Sequence, residues 1–203
     1  MEKGRQKGPR ADRQQRFHHH PERLNDARRL ETQVSKQALA LLLALRGDEN
    51  VADLGSGPGF YTDIIASLTT GPVYAVEIEP EMNKIYRERG LPANVRLVEG
   101  DINDLPLPAR SIDVACSIVT FHETGGSVGL PKLADILRPH GRIVVIDWRK
   151  DPESWEGGPA ADLRFTKEEA AHKLEPFFQI TAAEDLGLYL FAIVGSLDSR
   201  TAP

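Results

Sequence analysis

The chain has 203 residues, 40% hydrophobic and 27% charged, which is enough for one sizeable core and short for two. With 25 basic and 30 acidic residues it carries a net charge of −5, so its body lacks the basic footprint of a nucleic-acid binder. No apolar run approaches the ~20 residues of a membrane span, the N-terminus lacks a secretory apolar core, and a single cysteine excludes an internal disulfide and a cysteine-only metal site; the expected compartment is the cytoplasm.

Residues 1–16 hold six basic and two acidic side chains among glycine, proline and glutamine, and read as a disordered basic leader. Pro21 to Leu45 reads as amphipathic helix, in one piece or two. Asn50 to Leu54 is a short apolar strand, followed by Gly55, Gly57 and Gly59 at alternate positions and by Pro58, placed as a first-turn residue of a helix over Pro58 to Leu68. Gly71-Pro72 turns the chain into a second strand, Val73 to Val76, closed by Glu77. A helix over Pro80 to Arg89 stops at Gly90. Val95 to Val98 and Ile112 to Val119 are the third and fourth strands, the latter apolar enough to be covered on both faces. Leu130 to Leu137 is a helix ended by Pro139, and Gly141 to Trp148 is the fifth strand. Thr166 with Glu169 forms a capping-box pattern that starts another helix. Phe178 to Ala182 and Tyr189 to Val194, around Leu186-Gly187, read as two last strands in a hairpin.

This alternation implies an α/β fold: a Rossmann-like, doubly wound, seven-stranded sheet, mostly parallel, with an antiparallel C-terminal hairpin strand and a helical N-terminal lid. After the leader, residues 17–203 make a single domain: lid 17–46, ligand-binding core 47–150, and 151–203 completing the sheet. Ligands of such sheets bind beyond the carboxyl ends of the strands at the topological switch point, which places the glycine turn in the crevice. The glycines do not follow the G-x-G-x-x-G spacing of a dinucleotide site, because position 60 is Phe60. Asp53, two residues before the first glycine, would repel a pyrophosphate and attract an ammonium group. No Gly-Lys-Ser/Thr follows, which excludes a nucleoside triphosphate P-loop.

These residues resemble the class I S-adenosylmethionine-dependent methyltransferases, whose glycine motif [D/E]-x-G-x-G-x-G is matched by Asp53-Leu54-Gly55-Ser56-Gly57-Pro58-Gly59. Val76-Glu77-Ile78 is similar to that family's second-strand end, Val98-Glu99-Gly100-Asp101-Ile102 to its third, and Ile112-Asp113-Val114 to the opening of its fourth. Leu137-Arg138-Pro139-His140-Gly141-Arg142 resembles its L-[KR]-P-G-G-x turn, with His140 in place of a glycine. A closer resemblance is to small bacterial methyltransferases of the methyltransferase-11/31 type, on Glu22-Arg23-Leu24, Phe121-His122-Glu123 and Ile146-Asp147-Trp148-Arg149-Lys150. Methylarsenite-forming relatives need several cysteines, and this chain has only Cys116.

The resemblance implies S-adenosylmethionine as cofactor, S-adenosylhomocysteine as its product, and a cofactor site of Asp53, Gly55, Ser56, Gly57, Gly59, Glu77, Ile78, Asp101, Ile102 and Ser117. Asp53 is expected to orient the glycine loop and the methionine amino group, with a turn cap as the plain alternative. The glycines are expected to allow backbone approach. Glu77, 18 residues after Gly59, is expected at the ribose hydroxyls, Asp101 with Ile102 at the adenine, and Ser117 along the pocket wall. His122 is the candidate catalytic base, since histidine titrates near neutral pH; a structural histidine bound to a loop carbonyl is the alternative. Glu123 is expected to orient its ring or cap the Gly125-Gly126 loop, and Asp147, Trp148 and Arg149 to shape the acceptor pocket. His18, His19 and His20 are adjacent, so their side chains diverge, and no metal site is expected there. The expected activity is methyl transfer to a small-molecule acceptor by in-line displacement. A non-catalytic S-adenosylmethionine-binding regulatory module and an RNA- or ribosome-associated methyltransferase guided by the basic tail are the rivals, and neither a nucleic-acid nor a membrane partner is expected.

Overall fold

The computed structural model describes residues 21–151 and 158–197. The basic leader and His18, His19 and His20 lie outside the described residues. Seven strands form one sheet in the order β3-β2-β1-β4-β5-β7-β6. They are β1 (Val51–Leu54), β2 (Val73–Glu77), β3 (Val95–Glu99), β4 (Ile112–Ile118), β5 (Leu137–Trp148), β6 (Phe178–Leu186) and β7 (Leu190–Leu197). The first five pair in parallel, and β7 runs antiparallel to both β5 and β6. The expected hairpin is therefore present, with its second strand inserted against β5. The order reverses at β1, between β2 and β4, so the loops after these strands share one crevice.

All four residues of β1 are buried, and their alternation sorts the two faces. Val51 joins Cys116, Val144 and Ile146 in a core covered by Leu39 and Leu43 of the lid and by Ile65 and Tyr86. Ala52 and Leu54 join Ala115, Ile143 and Val145 in the opposite core, with Phe121, Leu133, Ile136, Ala170 and Leu174. Fully burying one such Leu or Ile contributes about 1.5–3 kcal/mol, so this double covering is what makes a central strand near-continuously apolar.

The lid is three short helices, α1 (Pro21–Leu24), α2 (Arg29–Thr32) and α3 (Lys36–Leu43), rather than one or two longer pieces. Two polar side chains interrupt it. The Asp26 carboxylate accepts the Arg28 amide at 2.9 Å in a local turn, and the Ser35 hydroxyl accepts from Ala38 N at 3.1 Å and caps α3. Such a cap stabilises a helix by about 1 kcal/mol. Arg142 in β5 closes the other end of α3, donating to Leu43 O at 2.6 and 3.1 Å, to Ala44 O at 3.0 Å and to Glu49 at 2.8 Å.

Helix α4 (Phe60–Ala66) starts two residues later than Pro58 because Gly59, its N-cap, sits at φ 90°. Pro58 belongs to the turn. Helix α5 (Pro80–Arg89) matches its expected ends, with Pro80 in the first turn and Gly90 at φ 93°. Helix α6 (Leu130–Ile136) precedes β5, which begins at Leu137 rather than Gly141. Leu137 pairs with Ile112, the register then shifts, and Arg142 pairs with Val114. The Leu137–Arg142 turn is thus an irregularity within the strand, with His140 at φ 67°. Helix α7 (Lys167–Leu174) begins with the reciprocal capping box of Thr166 and Glu169. Among the described residues no helix is long and apolar enough to cross a membrane.

Candidate functional site

The loop after β1 is anchored from β2: Gly55 N and Ser56 N both donate to Val76 O, at 2.9 and 3.0 Å. Gly55, Gly57 and Gly59 have φ values of 78°, 54° and 90°, a region that L side chains seldom occupy. Their surroundings separate them. A Cβ on Gly55 would overlap the Thr120 side chain, and one on Gly59 would overlap the Tyr86 ring. A Cβ on Gly57 would find only Leu24 Cδ1 of the lid, at 3.9 Å. Internal packing thus requires glycine at Gly55 and Gly59 whatever they present to a ligand, whereas Gly57 presents an open backbone surface.

Glu77 ends β2, largely buried, and its two oxygens accept from Gly57 N at 2.8 Å and from Glu79 N at 2.9 Å. Burial pushes its carboxyl upward, against the pull of these two amides, and the nearby Glu123 charge adds to the upward push. Beside it Ile78 is 36% exposed, an apolar side chain left at the crevice edge, while Ile102 after β3 is buried. Asp101 is half-buried and accepts from Asn103, N at 2.8 Å and Nδ2 at 3.0 Å. These positions bracket the end of the sheet from β1 to β3.

Asp53 lies below the loop, on the lid side of the sheet. Its carboxylate accepts the Thr62 hydroxyl at 2.6 Å, and the Cys116 thiol lies 3.8 Å away. Burial lifts its carboxyl to about 6, outweighing the Thr62 and Cys116 hydrogen bonds that oppose the shift. The lid residue Arg29 adds a cation on this side. It stacks over Phe60 and Tyr61, donates to Leu24 O at 2.6 Å and to Gln33 at 2.9 Å, and its charge acts on Asp53. No sequence pattern marked Arg29, because its role depends on the fold of the lid across α4.

Ser117 is fully buried in β4, and its Oγ, like Ser56 Oγ and Asn83 Oδ1, has no hydrogen-bond partner among the described residues. An orphan hydroxyl on Ser56, inside the loop, fits a site shaped for a polar ligand, since buried polar groups are normally paired.

On the far side of β4, the turn Phe121–Thr124 carries His122, 5% exposed. Its backbone N donates to Asp147 Oδ2 at 2.8 Å, and its ring Nδ1 lies 2.8 Å from Asp147 Oδ1. The Asp147 carboxylate, wholly buried at the end of β5, also accepts Trp148 N at 2.6 Å. Glu123 is not the group that orients this ring: its Oε1 is 3.9 Å from Nε2, beyond hydrogen-bond range. Burial works to lower the His122 pKa, but the Asp147 charge and hydrogen bond win, and the net shift is upward. Trp148 is packed, with the Arg164 guanidinium 5.6 Å over its ring. Among the described residues no group of three or more His, Cys, Asp or Glu could hold a metal ion.

Residues 52–145 match the methyltransferase domain family. The ubiquinone/menaquinone biosynthesis C-methyltransferase UbiE of Ectopseudomonas mendocina (strain ymp) is 30% identical over 116 residues, 54% of this chain and 45% of that protein. The demethylmenaquinone methyltransferase of Tropheryma whipplei (strain Twist) is 32% identical over 117 residues, 56% of this chain and 47% of that protein. The chain thus spans about half the length of the curated relatives it matches. Among solved structures, a SAM-dependent methyltransferase from Aquifex aeolicus superposes with a TM-score of 0.80 at 26% identity, over 88% of this chain and 97% of that one. The geranyl diphosphate C-methyltransferase of Streptomyces coelicolor, solved with S-adenosyl-L-homocysteine, shares the fold at a TM-score of 0.67 and 14% identity, over 80% of this chain and 75% of that one. Strand order, glycine motif and the matched region together make residues 52–145 similar in build to the class I, S-adenosylmethionine-dependent methyltransferase domains.

Proposed function

We propose that the chain transfers a methyl group from S-adenosylmethionine to a small-molecule acceptor by in-line displacement. The observation that carries this reading is the open backbone of Gly57, hydrogen-bonded to Glu77 beneath an otherwise packed loop. Gly55, Ser56, Gly57 and Gly59 form the cradle for the methionine part, with Asp53 below it. Glu77 receives the ribose hydroxyls, Ile78 and Ile102 hold the adenine, Asp101 borders it, and Ser117 backs the pocket. When bound, the cofactor supplies an electrophilic methyl carbon and a neutral thioether leaving group. The chain's own task is chiefly alignment, which in ideal intramolecular systems is worth up to ~7–11 kcal/mol. His122, at the end of β4, faces the acceptor side as a base. The lid, the loop over 120–130 and the described residues 148–151 and 158–165 wall the acceptor; a small acceptor also fits relatives named for ubiquinone/menaquinone biosynthesis and for demethylmenaquinone.

Calorimetric titration of S-adenosylhomocysteine tests the reading. Wild type should bind one equivalent per chain, and Glu77→Ala should lose about 1.5–3 kcal/mol of affinity as charge-assisted hydrogen bonds disappear. No saturable binding by wild type would end the proposal, and unchanged affinity in Glu77→Ala would end the ribose assignment.

A further inference from the structure

The most fully satisfied buried charge near the crevice is Asp147. Its carboxylate is wholly buried and accepts three donors: the His122 amide, the Trp148 amide and the His122 ring. Only N–H donors surround it in that set, so the ring nitrogen at 2.8 Å must carry a proton for the contact to be a hydrogen bond. That leaves Nε2 of the neutral ring without a proton. The backbone bond from His122 N to the same carboxylate pins the turn as well as the ring. A loop carbonyl in place of Asp147 would orient the ring but supply no charge to stabilise an imidazolium.

We infer that Asp147 is a positioning residue that holds His122 with its proton on Nδ1, so that Nε2 accepts a proton from an acceptor that enters the site neutral. The inference rests on the methyl-transfer reading above. In the balanced step, a lone pair of the acceptor atom forms the new bond to the methyl carbon and the carbon–sulfur pair departs with sulfur. The acceptor's proton moves to Nε2, and the imidazolium, held against Asp147, returns it to solvent after product leaves. The charged groups facing the ring are Asp147 from β5, Glu123 from its own turn and Arg164, whose charge opposes the other two. The cations at the outer end of β5 are tied to carboxylates: Arg149 to Asp151 and Asp185, Lys150 to Glu169, and Lys167 to Asp185. Their charge is thus already matched, which favours a neutral acceptor over an anionic one. An imidazole base held against the Asp147 carboxylate suits an acidic hydroxyl or an activated carbon acid better than an alkyl alcohol.

Long-range proton–nitrogen NMR of histidine-labelled protein tests this without any acceptor. In wild type, His122 should show a protonated Nδ1 and a bare Nε2 at high pH. In Asp147→Asn its titration midpoint should fall by about 1–2 pH units, the usual effect of removing an adjacent opposite charge. A wild-type ring protonated on Nε2 overturns the inference even if the variant fails to fold, and so does an unmoved midpoint in a folded variant. Titrating S-adenosylhomocysteine into the same wild-type sample separates the two claims. Binding with the wrong tautomer sinks only this inference, whereas no binding sinks the methyl-transfer reading.

Discussion

The three glycines of the loop should fail differently when each is replaced by alanine. At Gly57 the added methyl has open space, so the cost is the left-handed backbone at φ 54°, about 1–2 kcal/mol for an L residue. At Gly59 the same kind of backbone cost is joined by overlap with the Tyr86 ring. That ring is fully buried and its hydroxyl donates to Asp63 at 2.7 Å, so it cannot swing aside. Overpacking adds about 1–3 kcal/mol, for a total of about 2–5 kcal/mol. Affinity should order the other way. Gly57→Ala places a methyl where the cofactor approaches and should weaken S-adenosylhomocysteine at least tenfold, about 1.4 kcal/mol. Urea denaturation and calorimetric titration on the same preparations read both quantities. The reasoning is refuted if Gly57→Ala binds like wild type, or if it destabilises as much as Gly59→Ala. At Gly55 the clash is with Thr120, so Gly55→Ala combined with Thr120→Ala should recover part of the stability lost in Gly55→Ala, a coupling readable by double-mutant cycle.

Three further outcomes are expected. The Asp53 carboxyl is raised to about 6, above its unfolded value, so the folded state binds the proton more tightly and stability is lost as pH rises through roughly 4 to 6. Asp53→Asn escapes this loss, and its stability relative to wild type should climb by up to about 3 kcal/mol between pH 4 and pH 7; a flat difference in denaturation free energy speaks against it. His140→Gly relieves a non-glycine residue at φ 67°, and after the entropy of the added glycine it should stabilise by about 0.5–1 kcal/mol, with no gain in melting temperature counting against that reading. Because the His122 pKa is raised, methyl transfer should increase with pH to a plateau above the His122 midpoint, and Asp147→Asn should move the rise to lower pH in the same rate profile.

What could be read from the chain alone was whatever local chemistry decides. Helix α5 was legible because Pro80 and Gly90 mark both ends, and α7 because its capping box is complete within four residues. The mostly parallel sheet, the glycine turn at its switch point, the closing hairpin and the position of Glu77 at the end of β2 followed from the alternation and spacing of the elements. Contacts made across the fold stayed hidden. Whether a glycine faces ligand or packing depends on Thr120 and Tyr86, residues distant in sequence. The partner of His122 sits 25 residues away in another strand, so neighbouring Glu123 drew the orienting role that Asp147 holds. The lid broke into three helices because Asp26 and Ser35 satisfy backbone amides locally, against an apolar periodicity that runs through them.

A crystal structure of the chain with S-adenosylhomocysteine tests the central claim most directly. The account predicts the ribose hydroxyls on Glu77, the methionine part against the Gly57 backbone, the adenine between Ile78 and Ile102, and the sulfur facing the His122 side. Ligand bound away from the ends of β1 and β2, or a chain that takes up none at saturating concentration, would contradict it.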